Sequence, residues 1–121
     1  MVAKTYDETR VYRLAFELAM EIFEISKNDP KTETYSLMDQ IRRSSRTVCA
    51  NLAEAYRKKR YPAYFISKVS ETDSENSQTN VWIEFSLACN YISGDKYETL
   101  ISRNEEIGPL LYHMISNPEK Y

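Results

Sequence analysis

The chain is short of glycine, proline, cysteine and histidine: its 121 residues hold two, four, two and one of them. So few glycines and prolines leave little material for the many tight turns of a β-sandwich or barrel, and an all-α fold is expected. Cys49 and Cys89 sit among apolar neighbours and offer no disulfide framework; they read as free thiols packed as small core residues. One histidine cannot build a metal ligand set, so His113 reads as a surface or interface residue. No apolar run approaches the roughly 18 to 20 residues of a membrane span. Residues 1–31 also lack the apolar stretch and cleavage site of a signal peptide, so a cytoplasmic protein with no membrane partner is expected. There is no glycine-rich phosphate loop, and no Ser or Cys nucleophile with a His base. The acidic trio Glu71, Asp73 and Glu75 places Glu71 and Glu75 on one helical face, but no Glu-x-x-His pair accompanies it, and a solvated face accounts for it. The expectation is a protein that is not an enzyme, with neither cofactor nor metal.

What the chain has is tyrosine, of which there are ten, and a polarised charge distribution. The run from Tyr35 to Arg60 carries Arg42, Arg43, Arg46, Arg57, Lys58, Lys59 and Arg60 against Asp39 and Glu54 alone. From Tyr61 onward four cations face nine carboxylates, and the first 34 residues are mildly acidic. A net charge of −2 therefore conceals one strongly basic segment. Within it Leu37, Ile41, Val48, Leu52 and Ala55 form the apolar seam of a helix, Arg42, Arg46 and Arg57 share one flank, and Ser44, Ser45, Ala50 and Ala53 allow a neighbour to approach closely.

Taken in order, the pattern predicts four helices in a single domain, at about 9–27, 36–59, 62–93 and 95–116. Val11, Leu14, Leu18, Ile22 and Ile25 stripe the first, which Asn28, Asp29 and Pro30 end. Lys31 to Thr34 reads as a polar connection, and Ser36 with Asp39 reads as the capping box of the second helix. Pro62 opens the third. Ser70 to Asn80 contains no large apolar residue and reads either as a loop or as a continuous helix that turns Thr72, Asn76 and Thr79 to the side of Phe65, Val69 and Ile83. Gly94 is expected to end the third helix in a left-handed conformation, Asp95 and Glu98 to cap the fourth, and Pro109 to kink it. Short connections imply an antiparallel up-down-up-down four-helix bundle.

The segment QIRRSSRTVCANLAEAY, Gln40 to Tyr56, resembles the signature of a bacterial four-helix bundle family, the proteins encoded in intervening sequences of 23S ribosomal RNA. VYRLAFELAMEIFEIS from Val11, YPAYFISKVS from Tyr61, SENSQTNVWIEFSLACNYIS from Ser74 and LLYHMISNPEKY at the end agree in order. The resemblance favours the continuous third helix and implies an up-and-down bundle that forms homo-oligomers, several members being ring-shaped pentamers. A relative, the accessory protein of diversity-generating retroelements, binds a reverse transcriptase and nucleic acid through a basic surface. Carried over, this makes Arg42, Arg43, Arg46, Arg57, Lys58, Lys59 and Arg60 candidate nucleic-acid contacts. Structured RNA or DNA, or a nucleic-acid-processing protein, would be the partner. Asn51 and Glu54 match the family's Asn-x-x-Glu motif, for which a structural role is expected: Glu54 pairing with Arg57 or Lys58, and Asn51 bonding across to a neighbour. Ala55 stands where the family usually has Gly. The alternative is a protein-interaction or assembly module with no nucleic-acid role, in which the same arginines meet the acidic half of another subunit.

Overall fold

The computed structural model describes residues 5–27 and 32–121, with side chains from residue 36 onward in the second helix. Among these residues there is no strand. A short 3-10 turn, Tyr6–Glu8, precedes α1 (Arg10–Ser26), α2 (Thr32–Arg57), α3 (Pro62–Ala88) and α4 (Gly94–Ser116), and a second 3-10 turn, Pro118–Lys120, follows. α2 packs against α1 and α3, and α4 packs against the same two, so α1 stands diagonal to α3 in an antiparallel four-helix bundle. No helix among the described residues is long and apolar enough to cross a membrane.

Each helix presents a seam with alternating three- and four-residue steps. In α3 the buried positions are Phe65, Val69, Thr72, Asn76, Thr79, Ile83 and Ser86, the spacing that keeps one face of a helix on its neighbours. The continuous helix is therefore the correct reading of Ser70 to Asn80, and Thr72, Asn76 and Thr79 enter the core. Val11, Ala15, Leu18 and Ile22 of α1, Met38, Ile41, Val48, Leu52 and Ala55 of α2, and Leu100, Ile107, Leu111 and Met114 of α4 surround them. Leu37 is only half-buried, because Met38 takes the core position at that end of α2.

Burying hydroxyls and amides is tolerated where they are bonded. Thr72 donates to the Lys68 carbonyl at 2.9 Å and Ser86 to the Trp82 carbonyl at 2.9 Å. Thr79 Oγ1 lies 2.9 Å from the Glu75 carbonyl and 2.8 Å from Ser44 Oγ, a bond between α3 and α2. Asn104 of α4 donates from Nδ2 to the Asn76 carbonyl at 3.3 Å and to Asn80 Oδ1 at 3.2 Å. The small side chains of Ser44 and Ser45 let α2 and α3 approach at this level.

The ends of the elements differ from the sequence expectation at several points. α2 begins at Thr32, so Ser36 lies inside the helix and is not its cap; nothing in Thr32 to Tyr35 obliges the backbone to leave a helix. The break at Asn28 to Lys31 lies outside the described residues. α3 ends at Ala88, five residues earlier than expected. Asn90, at φ 60°, takes the left-handed position instead of Gly94, which asparagine tolerates. Asn90 N–H donates to the Leu87 carbonyl and Tyr91 N–H to the Ser86 carbonyl, at 2.9 and 2.8 Å, closing a Schellman motif. Gly94 instead opens α4, whose cap is Ser93: its hydroxyl accepts from Lys96 N–H at 3.1 Å, the role assigned above to Asp95. α4 runs through Pro109 without a break. Pro109 and Glu105 are both exposed, so the carbonyl that loses its donor can turn to water. Cys49 is half-buried, but Cys89 is exposed at the end of α3 and is not a core residue.

The Thr79–Ser44 bond yields a direct test. In a double-mutant cycle with Thr79→Val and Ser44→Ala, read from urea unfolding midpoints, the pair should couple by about 1 kcal/mol. Strict additivity of the two single changes would show that the hydroxyls do not bond in solution.

Candidate nucleic-acid interface

The seven cations of the basic segment do not share one face, because α2 is packed on both sides. Arg42 and Arg46 lie toward α1. The Arg42 Nε–H donates to Ser26 Oγ at 2.7 Å, and the guanidinium groups of Arg42 and Arg46 stand 5.8 and 6.0 Å from the centre of the Phe23 ring. Such contacts fix a guanidinium over an aromatic face. Ser26 in turn donates to the Ile22 carbonyl at 2.7 Å, so this arginine is part of the α1–α2 contact. Arg43, one residue on, lines a groove toward α3 with Gln78, Glu75 and Trp82.

The remaining four cations lie at the C-terminal end of α2, about 16 Å of helix beyond Arg46. Here the chain leaves α2 at Arg57 and enters α3 at Pro62, so Lys58 to Tyr61 form a tight turn, stitched by the bond from Tyr61 N–H to the Lys58 carbonyl at 2.9 Å. Cations at this end also complement the helix dipole. Lys58 Nζ lies 5.7 Å from the Tyr64 ring centre. Lys59 Nζ lies 4.6 Å from that of Tyr56 and donates to the Tyr121 carbonyl at 3.4 Å. Arg57 and Arg60 are exposed. Among the described residues neither has an ion-pair partner.

Arg57, Lys58 and Arg60 meet Thr5, Tyr6, Tyr56 and Tyr61 around an open cleft of about 460 Å³, whose described walls contain no carboxylate. Glu8 borders a smaller adjoining cleft of about 200 Å³ with Tyr56, Lys120 and Tyr121. Among the described residues the phenol of Tyr56 is buried without a hydrogen-bond partner, and that burial, followed by Tyr121 and Glu8, pushes its pKa up, so it stays a neutral donor. Tyr61 and Tyr56 belong to the basic segment's own end and were visible in the sequence. Thr5 and Tyr6 were not: they reach the cleft only because the N-terminal 3-10 turn packs against the end of α2.

No group of three or more His, Cys, Asp or Glu among the described residues is placed to hold a metal ion. Glu71 instead pairs with Lys68 at 2.8 Å.

The family model of the 23S rRNA-intervening sequence proteins matches residues 7–113. The chain belongs to that family. Among solved structures, this 23S rRNA-intervening sequence protein is similar to a protein of unknown function from the S23 ribosomal protein family of Bacteroides thetaiotaomicron, with 28% sequence identity and a TM-score of 0.79. The match covers 87% of this chain and 97% of that one. A search of curated proteins finds no match.

The Asn-x-x-Glu pair can now be placed within this family member. Glu54 does not pair along its own helix with Arg57 or Lys58. It turns to α3, where it accepts from Tyr64 Oη at 2.9 Å and meets Lys68 Nζ at 3.2 Å. The antiparallel return after a four-residue turn brings Tyr64 and Lys68 alongside, while Lys58 lies over the Tyr64 ring. Asn51 is half-buried and makes no cross-helix side-chain bond among the described residues. The bonds from Tyr64 and Lys68 lower the Glu54 pKa below its ordinary 4.5. A lowered folded-state value stabilises the fold above the ordinary glutamate range, and that share is lost as pH falls through the folded value. The gap in thermal midpoint between the protein and Glu54→Gln should accordingly be present at neutral pH and close as pH falls below the ordinary glutamate value. A gap independent of pH would mean that the carboxylate's charge contributes nothing.

Proposed function

We propose that the protein is a non-catalytic, self-assembling bundle of the cytoplasm that holds nucleic acid by its phosphate backbone at the C-terminal end of α2. The observation that carries this reading is the cleft where Arg57, Lys58 and Arg60 converge without a carboxylate in its described walls, on a chain that is acidic from Tyr61 onward. Arg57 and Arg60 keep their donors for a ligand, and phosphate oxygens are the acceptors that suit them. The name of the family, drawn from 23S ribosomal RNA, is in keeping with an RNA partner.

Assembly has its own support. Phe16 and Met20 on α1 are 50% and 44% exposed, and Val81 and Phe85 on α3 are 42% and 53% exposed. Each pair lies one turn apart on its helix, and exposed apolar patches of this kind suit subunit contacts. α1 and α3 are diagonal, so their outward faces point in opposite directions. Two different patches on opposite sides favour a head-to-tail contact, the type that closes into rings, over a two-fold dimer. Ring assembly would also repeat the basic cleft and multiply weak phosphate contacts.

The second reading, an assembly module with no nucleic-acid role, is favoured by one observation: Arg42 and Arg46 are held over Phe23 at the α1–α2 seam. Fluorescence anisotropy with structured RNA and DNA at low and moderate salt, with particle mass from light scattering, separates the two. The protein should bind with a steep salt dependence. Arg57→Ala/Arg60→Ala should keep its mass, lose about tenfold or more in affinity, and lower the salt slope by about 2. Absence of binding at low salt would leave the second reading. Phe16→Asp and Phe85→Asp should each reduce the particle mass; unchanged mass in both would refute the head-to-tail contact.

A further inference from the structure

We infer that the cleft at the end of α2 receives an unpaired nucleotide, with its phosphate at Arg57 and Arg60 and its base on the ring of Tyr61, so that the protein prefers a single strand to a duplex. This rests on the phosphate-binding reading above and adds the form of nucleic acid that is bound.

Which tyrosines are already engaged decides where a base can stack. Four border or flank the cleft. Tyr6 packs edge-on against Tyr12 at 4.9 Å between centroids. Tyr56 is buried beneath Lys59 and beside Phe65. Tyr64 carries Lys58 on its face and bonds Glu54 through its hydroxyl. Tyr61 lines the cleft, is 56% exposed, and has no ring or cation partner among the described residues. Its backbone is anchored, since it occupies the N-cap position of α3 directly before Pro62. A large apolar ring held in water beside guanidinium groups that have no ion-pair partner among the described residues is the pairing of features that binds unstacked bases: the cation holds the backbone and the ring takes the π-face of any base.

The cleft volume of about 460 Å³ falls within the range of sites for small organic ligands, roughly 300 to 1,000 Å³. A duplex keeps its bases stacked inside and can offer this cleft only phosphate, whereas a single strand or a loop can offer both.

The test compares a fluorescein-labelled thymidine homopolymer with the same strand annealed to its adenosine complement, by anisotropy at one salt concentration. The single strand should bind about tenfold or more tightly than the duplex. Tyr61→Ala should bring that ratio close to one, and Tyr61→Phe, which keeps the ring, should preserve it. Circular dichroism and particle mass verify that each variant folds and assembles as the parent does. Equal affinity of the parent for strand and duplex, or a ratio unaltered in Tyr61→Ala, overturns the inference while leaving backbone binding intact. If neither probe binds even at low salt, the phosphate-binding reading falls with it.

Discussion

The structure depends on a polar layer in the middle of its core. Thr72, Asn76 and Thr79 of α3 occupy seam positions that would ordinarily be Leu or Ile, and Asn76 and Thr79 meet Ser44 and Ser45 of α2 and Asn104 of α4. On either side of them lie Phe65 and Val69 toward one end and Ile83 toward the other. Apolar contacts are non-directional and tolerate sliding by a turn; a hydroxyl or amide in a dry core does not, since displacement strands it without a partner. The bonds from Thr79 to Ser44 and from Asn104 to Asn76 and Asn80 hold three helices to one axial alignment. Among the described residues the amide oxygens of Asn76 and Asn104 have no partner, so this layer contributes alignment more than energy.

Alignment of α2 against its neighbours governs what the basic segment can do. With α1 on one side and α3 on the other, α2 distributes its cations among different surroundings. Arg42 is consumed in holding Ser26, Arg43 faces the α3 groove beside Glu75, and Arg57 to Arg60 emerge at the end where the chain turns back. That end is also where the N-terminal 3-10 turn and the C-terminal Tyr121 gather. Tyr121 stacks on Phe65 at 6.4 Å and its hydroxyl lies 2.6 Å from His113 Nδ1, which places the one histidine at the surface in a structural contact.

Much of the architecture was legible because helix seams are local. The steps of three and four residues in α1, α2 and α4 are carried by large apolar side chains, which mark the buried face without reference to any partner. The polar third of α3 was ambiguous for the same reason: Ser, Thr, Asp and Asn have weak helix propensity. The resumption of the apolar stripe at Val81 and the resemblance to a known family favoured the helix. Misplaced boundaries have a common cause as well. Whether Asn90 or Gly94 takes the left-handed position, and whether Ser93 or Asp95 caps α4, is settled by which backbone groups find partners after the chain turns. The direction of Glu54, toward Tyr64 and Lys68 and away from Arg57 and Lys58, follows from the proximity of α3.

The sequence by itself determined the number and type of the elements, the apolar seams, the concentration of positive charge between Tyr35 and Arg60, and the family. These depend on the order and spacing of residues along one chain, to which helical periodicity is a direct guide. Tertiary structure alone decided which cations are taken up in helix packing, because the cost or gain of a guanidinium depends on what packs beside it. Arg42 and Arg57 share one flank of one helix, yet the first is held by Ser26 and Phe23 of α1 while the second faces a cleft completed by Tyr6 from the far end of the chain.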